Sequence, residues 1–338
     1  VYAGSKDQVI MIEGSAKELP EEDFIAALHF AQENVAKICA AQEELRGICG
    51  KPKREYELTV AKPELLEIGY QVAGDRIEEA IYAPNKIQRQ KQTGALRDEV
   101  EVAIKAAYPE ATDFDVEQVF EYIQKKAFRI SIMEQDKRAD GRAIKQLRPL
   151  QAEVNVLPPV VHGSALFARG ETKSVCLATL APVEEKQYLD NYTGSVDEKR
   201  FILHYNFPPF SVGETGRFGG QNRREIGHGA LAERSIAPVI PDENDFPYAI
   251  RVSSEIMESN GSTSMASVCA GTMSLLAAGV PLKRPVSGIS VGLVTEFENE
   301  GDREPKRYET LLDIIGSEDF YGDMDFKLCG SSVGVTGY

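Results

Sequence analysis

The chain has 338 residues, a formal net charge of −15, and 42% hydrophobic against 27% charged residues, the balance of an ordinary globular protein with length for two or three domains. No apolar run approaches the ~18 residues that a membrane-spanning helix needs, and the first residues show no basic stretch before an apolar core. The acidic balance excludes a surface that coats nucleic acid non-specifically, so any nucleic-acid site must be local.

Val9, Ile10, Met11 and Ile12 form a short apolar strand. After Leu19-Pro20 a helix opens with Glu21, Glu22 and Asp23 at the positive end of its dipole. Phe24, Leu28, Ala31, Val35, Ile38 and Leu45 give it an apolar stripe, and the segment from Gly47 to Pro52 ends it. The pattern stays helical to about residue 130. Pro63 starts a second helix with Leu66, Val72, Ile77 and Ile81 among its apolar residues, weakened by Gly69 and Gly74. A third covers about Leu96 to Ala107, and Asp113 precedes a fourth in which Val116, Val119, Phe120, Ile123, Ala127 and Ile130 share a face. The expectation is a helical bundle rich in Glu, Lys and Gln, whose charge argues against strong RNA binding by itself.

Past Gln135-Asp136-Lys137-Arg138 the sequence turns to strands punctuated by glycine and proline. Ser164 to Phe167 and Ser174 to Leu180 flank the turn Arg169-Gly170-Glu171-Thr172, as in a hairpin. Further strands are read at Phe201 to Tyr205 and Val286 to Leu293, and helices at 228 to 237 and 264 to 279, which together predict an α+β domain.

Three stretches of this domain carry chemistry. The first, Gly216 to Arg234, concentrates arginine in an acidic chain. Its glycines let backbone approach a ligand, and Arg223 and Arg224 offer permanently charged forks that match phosphate oxygens, although a single arginine also suits a surface ion pair. His228 is as readily a hydrogen-bonded histidine at a helix start as a ligand-facing one. The second stretch, Ser259-Asn260-Gly261-Ser262-Thr263-Ser264, runs into a helix marked by Met265, Val268, Cys269, Leu275 and Leu276 and stopped by Gly279 and Pro281. Three hydroxyls at the positive end of a helix exceed what one N-cap requires and suit an anion.

The third stretch, Gly316 to Lys327, follows a strand read at Tyr308 to Ile315 and gathers carboxylates and a lysine around Gly322. Asp325 and Lys327 lie two apart, hence on one face of an extended chain. With Asp319 before the turn, two carboxylates can hold a hard divalent cation; the plain alternative is a solvated acidic turn.

Five cysteines, Cys39, Cys49, Cys176, Cys269 and Cys329, show no CxxC spacing and fit a reducing, cytoplasmic compartment, and the four scattered histidines suggest no zinc site. One echo spans the chain: Ala3-Gly4-Ser5 followed by Val9 repeats as Cys329-Gly330-Ser331 followed by Val335, which suggests a duplicated unit.

In order along the chain, Asp140-Gly141-Arg142, Arg148-Pro149-Leu150, Gly163 to Thr172, Tyr205 to Glu214, Arg223 to Gly229, Ser259 to Ser262 and Gly322 to Lys327 resemble the motifs of the second RNase PH-like core of the polynucleotide phosphorylase family. Residues 1–35 resemble the closing strand and helix of the family's first core, 36–130 its all-helical connecting domain, and 131–338 its second core, stopping before the closing segment. Most of the first core and two C-terminal RNA-binding modules of the family are missing, so the chain is expected to be a piece of a longer protein. Thr263 stands where the family often has serine, and the segment Phe297 to Arg307 is longer than the family's usual hairpin.

The resemblance implies a phosphorolytic 3′→5′ exoribonuclease, active in mRNA degradation and reversible as RNA polymerisation, that releases nucleoside diphosphates and requires Mg²⁺, with Mn²⁺ as the alternative. Ser262, Thr263 and Ser264 would hold the attacking phosphate, and Arg223, Arg224 and His228 would line the phosphate and RNA-end subsite. Asp319 and Asp325 would ligate the metal, and Lys327 would stabilise charge on the scissile phosphate. Implied partners are the 3′ end of single-stranded RNA, inorganic phosphate, two further copies in a homotrimeric ring, and an RNA helicase or endonuclease of a degradosome, with no membrane. The competing expectation is a noncatalytic subunit that threads RNA through an exosome-like ring; it is disfavoured by the presence of all these acids and arginines.

Overall fold

In the computed structural model, every residue is described except 57, 84–85, 191–195, 218, 300–301 and 303. In chain order, strands β1 (Tyr2–Gly4), β2 (Val9–Ile12) and β3 (Ser15–Leu19) precede the long helix α1 (Glu21–Cys49). Helices α2 (Pro63–Ala73), α3 (Arg76–Ile81), α4 (Lys86–Ala107) and α5 (Asp113–Gln135) follow. Then come β4 (Leu150–Val154), β5 (Gly163–Arg169), β6 (Thr172–Pro182), β7 (Gln187–Asp190), β8 (Val196–Lys199), β9 (Phe201–Asn206), α6 (Arg223–Ile236), β10 (Tyr248–Glu258) and α7 (Thr263–Ala277). The chain closes with β11 (Ser287–Glu296), β12 (Arg307–Leu312), α8 (Gly316–Tyr321), β13 (Met324–Gly330) and β14 (Val335–Gly337). Two compact units result: a sheet unit of Val1–Lys51, Arg148–Ser290 and Phe326–Tyr338, and a helical unit of Pro52–Leu147 and Val291–Asp325.

Helices α2 to α5 lie in the helical unit, which also takes in Val291–Asp325. The second helix breaks into α2 and α3 at Gly74, whose φ of +44° favours glycine. Helix α4 starts at Lys86 rather than near Leu96. Helix α5 is opened by a capping box between Thr112 and Asp115 and runs on to Gln135, leaving Ile130 exposed beside its buried Val116, Val119, Phe120 and Ile123. Gly69 is a packing requirement, because a Cβ there would lie 2.6 Å from Val119 Cγ1 of α5. Leu65, Val100, Ile104 and Ile132 fill the core together with Leu311 and Ile314 of the β12–α8 segment.

In the sheet unit, one five-stranded sheet runs in the order β4-β5-β6-β10-β9, antiparallel except for the parallel pair β10–β9. Helix α7 is buried along most of its length, as expected for a helix made of small and apolar residues on every side. Gly163 permits its approach to β5: a Cβ there would sit 2.2 Å from the Ser274 carbonyl oxygen. Leu276, read as part of the apolar face, is exposed near the helix end. In α1 the expected stripe is buried at Phe24, half-buried at Leu28, Ala31 and Val35, and exposed at Ile38 and Leu45. The α1 cover comes from β1 and from Tyr338, whose ring lies 4.7 Å from that of Phe24, and it serves the first half of the helix.

The echo between the two ends of the chain is a structural one. β1–β2 and β13–β14 are both antiparallel pairs with a register shift, between Ala3 and Gly4 in one and between Cys329 and Gly330 in the other. The turn is also the same: Ser5 N–H donates to the Gln8 carbonyl, and Ser331 N–H to the Gly334 carbonyl.

Candidate functional site

The loop entering α7 has an unusual backbone. Gly261 has φ +91° and Ser262 φ +54°, and a left-handed non-glycine residue costs about 1–2 kcal/mol. Three groups from other motifs hold it by consecutive carbonyls. Arg148 Nη1 donates to the Asn260 carbonyl at 2.7 Å, Thr172 Oγ1 to that of Gly261 at 2.9 Å, and Arg169 Nη2 to that of Ser262 at 2.9 Å. Glu171 accepts from Asn260 Nδ2 at 2.7 Å. Arg148, Arg169 and Thr172 are all buried, so the turn read as a plain hairpin, Arg169 to Thr172, is a cradle for the start of α7.

The Ser262 carbonyl also accepts the N–H of Ala266 at 3.3 Å, and the N–H groups before it, like those of any first helical turn, have no intrahelical acceptor. Ser262 is the N-cap residue, yet its side chain makes no capping hydrogen bond. Among the described residues, Ser262 Oγ and Ser264 Oγ are buried with no hydrogen-bond partner. Each such hydroxyl costs about 1–3 kcal/mol unless something satisfies it. Two unsatisfied hydroxyls beside helix-start N–H groups are donors of the kind an anion could satisfy. The third hydroxyl differs from expectation: Thr263 Oγ1 is 2.6 Å from Tyr205 Oη and already engaged. Cys269 is buried within α7, and burial pushes its thiol up, which fits a core role.

Helix α6 begins at Arg223 rather than at residue 228, because Asn222 and Glu225 form a reciprocal capping box with bonds of 2.8 and 2.9 Å. Arg223 and Arg224 therefore occupy its first turn, both exposed, and His228 lies in its second turn, half-buried. Cations at the positive end of a helix oppose its dipole, a local conflict typical of sites kept for binding. The Arg224 guanidinium lies 5.6 Å from the Phe207 ring, which stacks at 6.2 Å on Tyr205. His228 Nδ1 is 3.2 Å from Tyr205 Oη. Tyr205 thus joins the arginine motif of α6 to the hydroxyl run of α7 within one unit.

Residues Gly316–Tyr321, ahead of the turn read around Gly322, form the short helix α8. Within it Glu318 is buried against Arg138. Asp323 pairs with Arg129 of α5 at 2.8 and 2.9 Å and accepts from Thr295 N–H and Oγ1. Both are committed to structure. Asp319 and Asp325 are exposed, as is Asp323, and no cluster of three or more histidine, cysteine, aspartate or glutamate side chains is placed to hold a metal among the described residues. Asp319 and Asp325 each offer a hard oxygen donor of the kind Mg²⁺ takes, the rest of its shell coming from waters and substrate phosphates. Lys327 follows Asp325 on β13, half-buried and on the same strand face.

The positions that sequence reasoning passed over are the supports: Arg148, Arg169 and Thr172 beneath α7, Tyr205 between the two helices, and Arg129 and Arg138 behind the acids. All but Arg129 and Arg138 fall inside the motifs quoted above, but only three-dimensional pairing separates a supporting arginine from a ligand-facing one.

Residues 146–281 match a family model described as "3′ exoribonuclease family, domain 1", and residues 64–143 one described as "Polyribonucleotide nucleotidyltransferase, RNA binding domain". Over its whole length the chain is 84% identical to a polyribonucleotide nucleotidyltransferase of Akkermansia muciniphila and 51% identical to one of Methylacidiphilum infernorum, in each case covering 47% of the relative. It is 52% identical to one of Opitutus terrae, covering 46% of it. The chain thus spans about half the length of these relatives.

Proposed function

Because the chain belongs to the polyribonucleotide nucleotidyltransferase family, we propose that the protein containing it degrades RNA from the 3′ end by phosphorolysis. An oxygen of inorganic phosphate attacks the terminal phosphodiester, the bond to the 3′ oxygen of the preceding nucleotide breaks, and a nucleoside diphosphate leaves. The reverse reaction extends RNA. The observation that carries this reading is the pair of buried, unsatisfied hydroxyls of Ser262 and Ser264 at the start of α7, since an attacking phosphate supplies the acceptors they lack.

In this proposal Ser262 and Ser264, with the α7 N–H groups, bind and orient phosphate, Thr263 contributes through its engaged hydroxyl, and Arg223, Arg224 and His228 bind the phosphates of the RNA end. Asp319 and Asp325 would hold the divalent ion, which would supply positive charge against phosphate oxygens. Lys327 stabilises negative charge on the scissile phosphate. Phosphoryl transfer asks mainly for such positioning and charge. The same proposal assigns residues 1–35 to the end of a first core, 36–130 to a connecting helical domain and 131–338 to a second core, working as a cytoplasmic homotrimer on single-stranded RNA in mRNA decay. Full-length protein incubated with poly(A) should release adenosine diphosphate only when phosphate is present. Release of monophosphate without phosphate, or no release in either condition, would overturn the proposal.

A further inference from the structure

Tyr205 sits at a junction that neither of its neighbours explains alone. It is almost fully buried, its ring stacks on Phe207, and the His228 ring meets it edge-on with centroids 5.4 Å apart. Gly229 lies against it, since a Cβ there would come within 3.2 Å of the Tyr205 Cβ. The ring is therefore held in place by packing. Its hydroxyl carries one proton and faces two partners, Thr263 Oγ1 at 2.6 Å and His228 Nδ1 at 3.2 Å. Burial raises the phenol's pKa, so the proton stays on it.

One proton between two partners permits two arrangements. When Tyr205 donates to His228 Nδ1, Thr263 must donate its own proton to Tyr205, and its hydroxyl has nothing left to give an anion. When His228 Nδ1 carries a proton and donates to Tyr205, the phenol donates to Thr263, whose hydrogen is then released toward the start of α7. An anion seated there favours the second arrangement.

We propose that Tyr205 is a positioning residue that couples His228 to the Thr263 hydroxyl, so that Thr263 becomes a hydrogen-bond donor to the phosphate bound at the start of α7. Tyr205 itself touches neither phosphate nor RNA. This inference rests on the phosphate-binding reading of that helix start, and it explains why Thr263, unlike Ser262 and Ser264, is engaged rather than left open.

The test uses the full-length protein with Tyr205→Phe, which keeps the ring and removes the hydroxyl, alongside Thr263→Val and the double variant, each assayed for phosphorolysis of poly(A). Tyr205→Phe should raise the phosphate KM roughly five- to tenfold, the worth of one net hydrogen bond, while the RNA KM moves less than about twofold. The double variant should be no worse than Thr263→Val, because both remove one interaction. An unchanged phosphate KM in folded Tyr205→Phe, or effects that multiply in the double variant, would overturn the coupling. If Tyr205→Phe fails to fold, the same cycle between His228→Asn and Thr263→Val decides it: non-additive effects on phosphate KM support the coupling, and multiplying effects refute it. The reading beneath stays separately testable, since Ser264→Ala must raise phosphate KM whether or not Tyr205 matters.

Discussion

Arg138 grips Glu318 through two hydrogen bonds, Nε to Oε1 at 2.8 Å and Nη2 to Oε2 at 2.5 Å, with both side chains fully buried. The same guanidinium donates to the carbonyls of Leu312 and Asp313, and Glu318 Oε2 accepts the N–H of Ile315 at the start of α8. One ion pair therefore fixes the approach to α8 and its first turn, immediately before Asp319. A buried pair adds little stability when intact but is costly to break, at about 3–5 kcal/mol, because the surviving charge is stranded. Glu318→Gln should accordingly lower the denaturant midpoint of the helical unit by a clear margin and reduce turnover by displacing Asp319. Urea unfolding beside a poly(A) assay checks both; an unchanged midpoint would show that the pair is not holding α8.

Asp323 and Asp325 are two residues apart and should behave oppositely. Asp323 is tied to Arg129 and Thr295, so Asp323→Asn should cost stability. Asp325, exposed as Asp323 is, is the proposed ligand of the ion, so Asp325→Asn should leave the melting temperature within about 2 °C, as expected of a surface change. Its turnover should nonetheless fall roughly 10²-fold in both directions of the reaction, as loss of charge stabilisation does. Thermal unfolding with rates across a Mg²⁺ titration separates the two. Equal loss of stability in both variants would return Asp325 to a structural role.

The same ion pair sets a pH dependence. Burial raises the Asp323 carboxyl, but the hydrogen bonds from Arg129 and Thr295 outweigh it and hold the group below its ordinary range. A carboxyl depressed in the folded state stabilises above its unfolded pKa, about 3.9, and loses that contribution as pH falls through the folded value. The stability difference between wild type and Asp323→Asn should therefore be full at about pH 6 and shrink below about pH 4. A difference that stays constant down to pH 3 would contradict this.

Periodicity found the helices with clean faces, such as α5, and short runs punctuated by glycine and proline found β5, β6 and β9, because local pattern decides those elements. It missed the start of α6, since Asn222 and Glu225 cap each other across a stretch that glycine and arginine make look like loop. It also missed α8, a short helix set by the Glu318 carboxylate and by Arg138, which is distant in sequence. At the site, the hydroxyl run and the paired arginines were legible as residue types. Which carboxylates are structural was not, because Arg129 and Arg138 select Asp323 and Glu318 only once the chain is folded. The engagement of Thr263 was hidden for the same reason: its partner, Tyr205, lies on another strand.

The central claim is that the start of α7 holds the attacking phosphate, and Ser264→Ala tests it most directly. Because Ser264 Oγ is buried without a partner, removing it deletes no internal hydrogen bond and should leave the melting temperature unchanged or slightly higher. Phosphate loses a donor, so the phosphate KM of the full-length enzyme should rise about tenfold while the RNA KM stays within about twofold. A variant with lowered stability and unaltered phosphate KM would contradict the account.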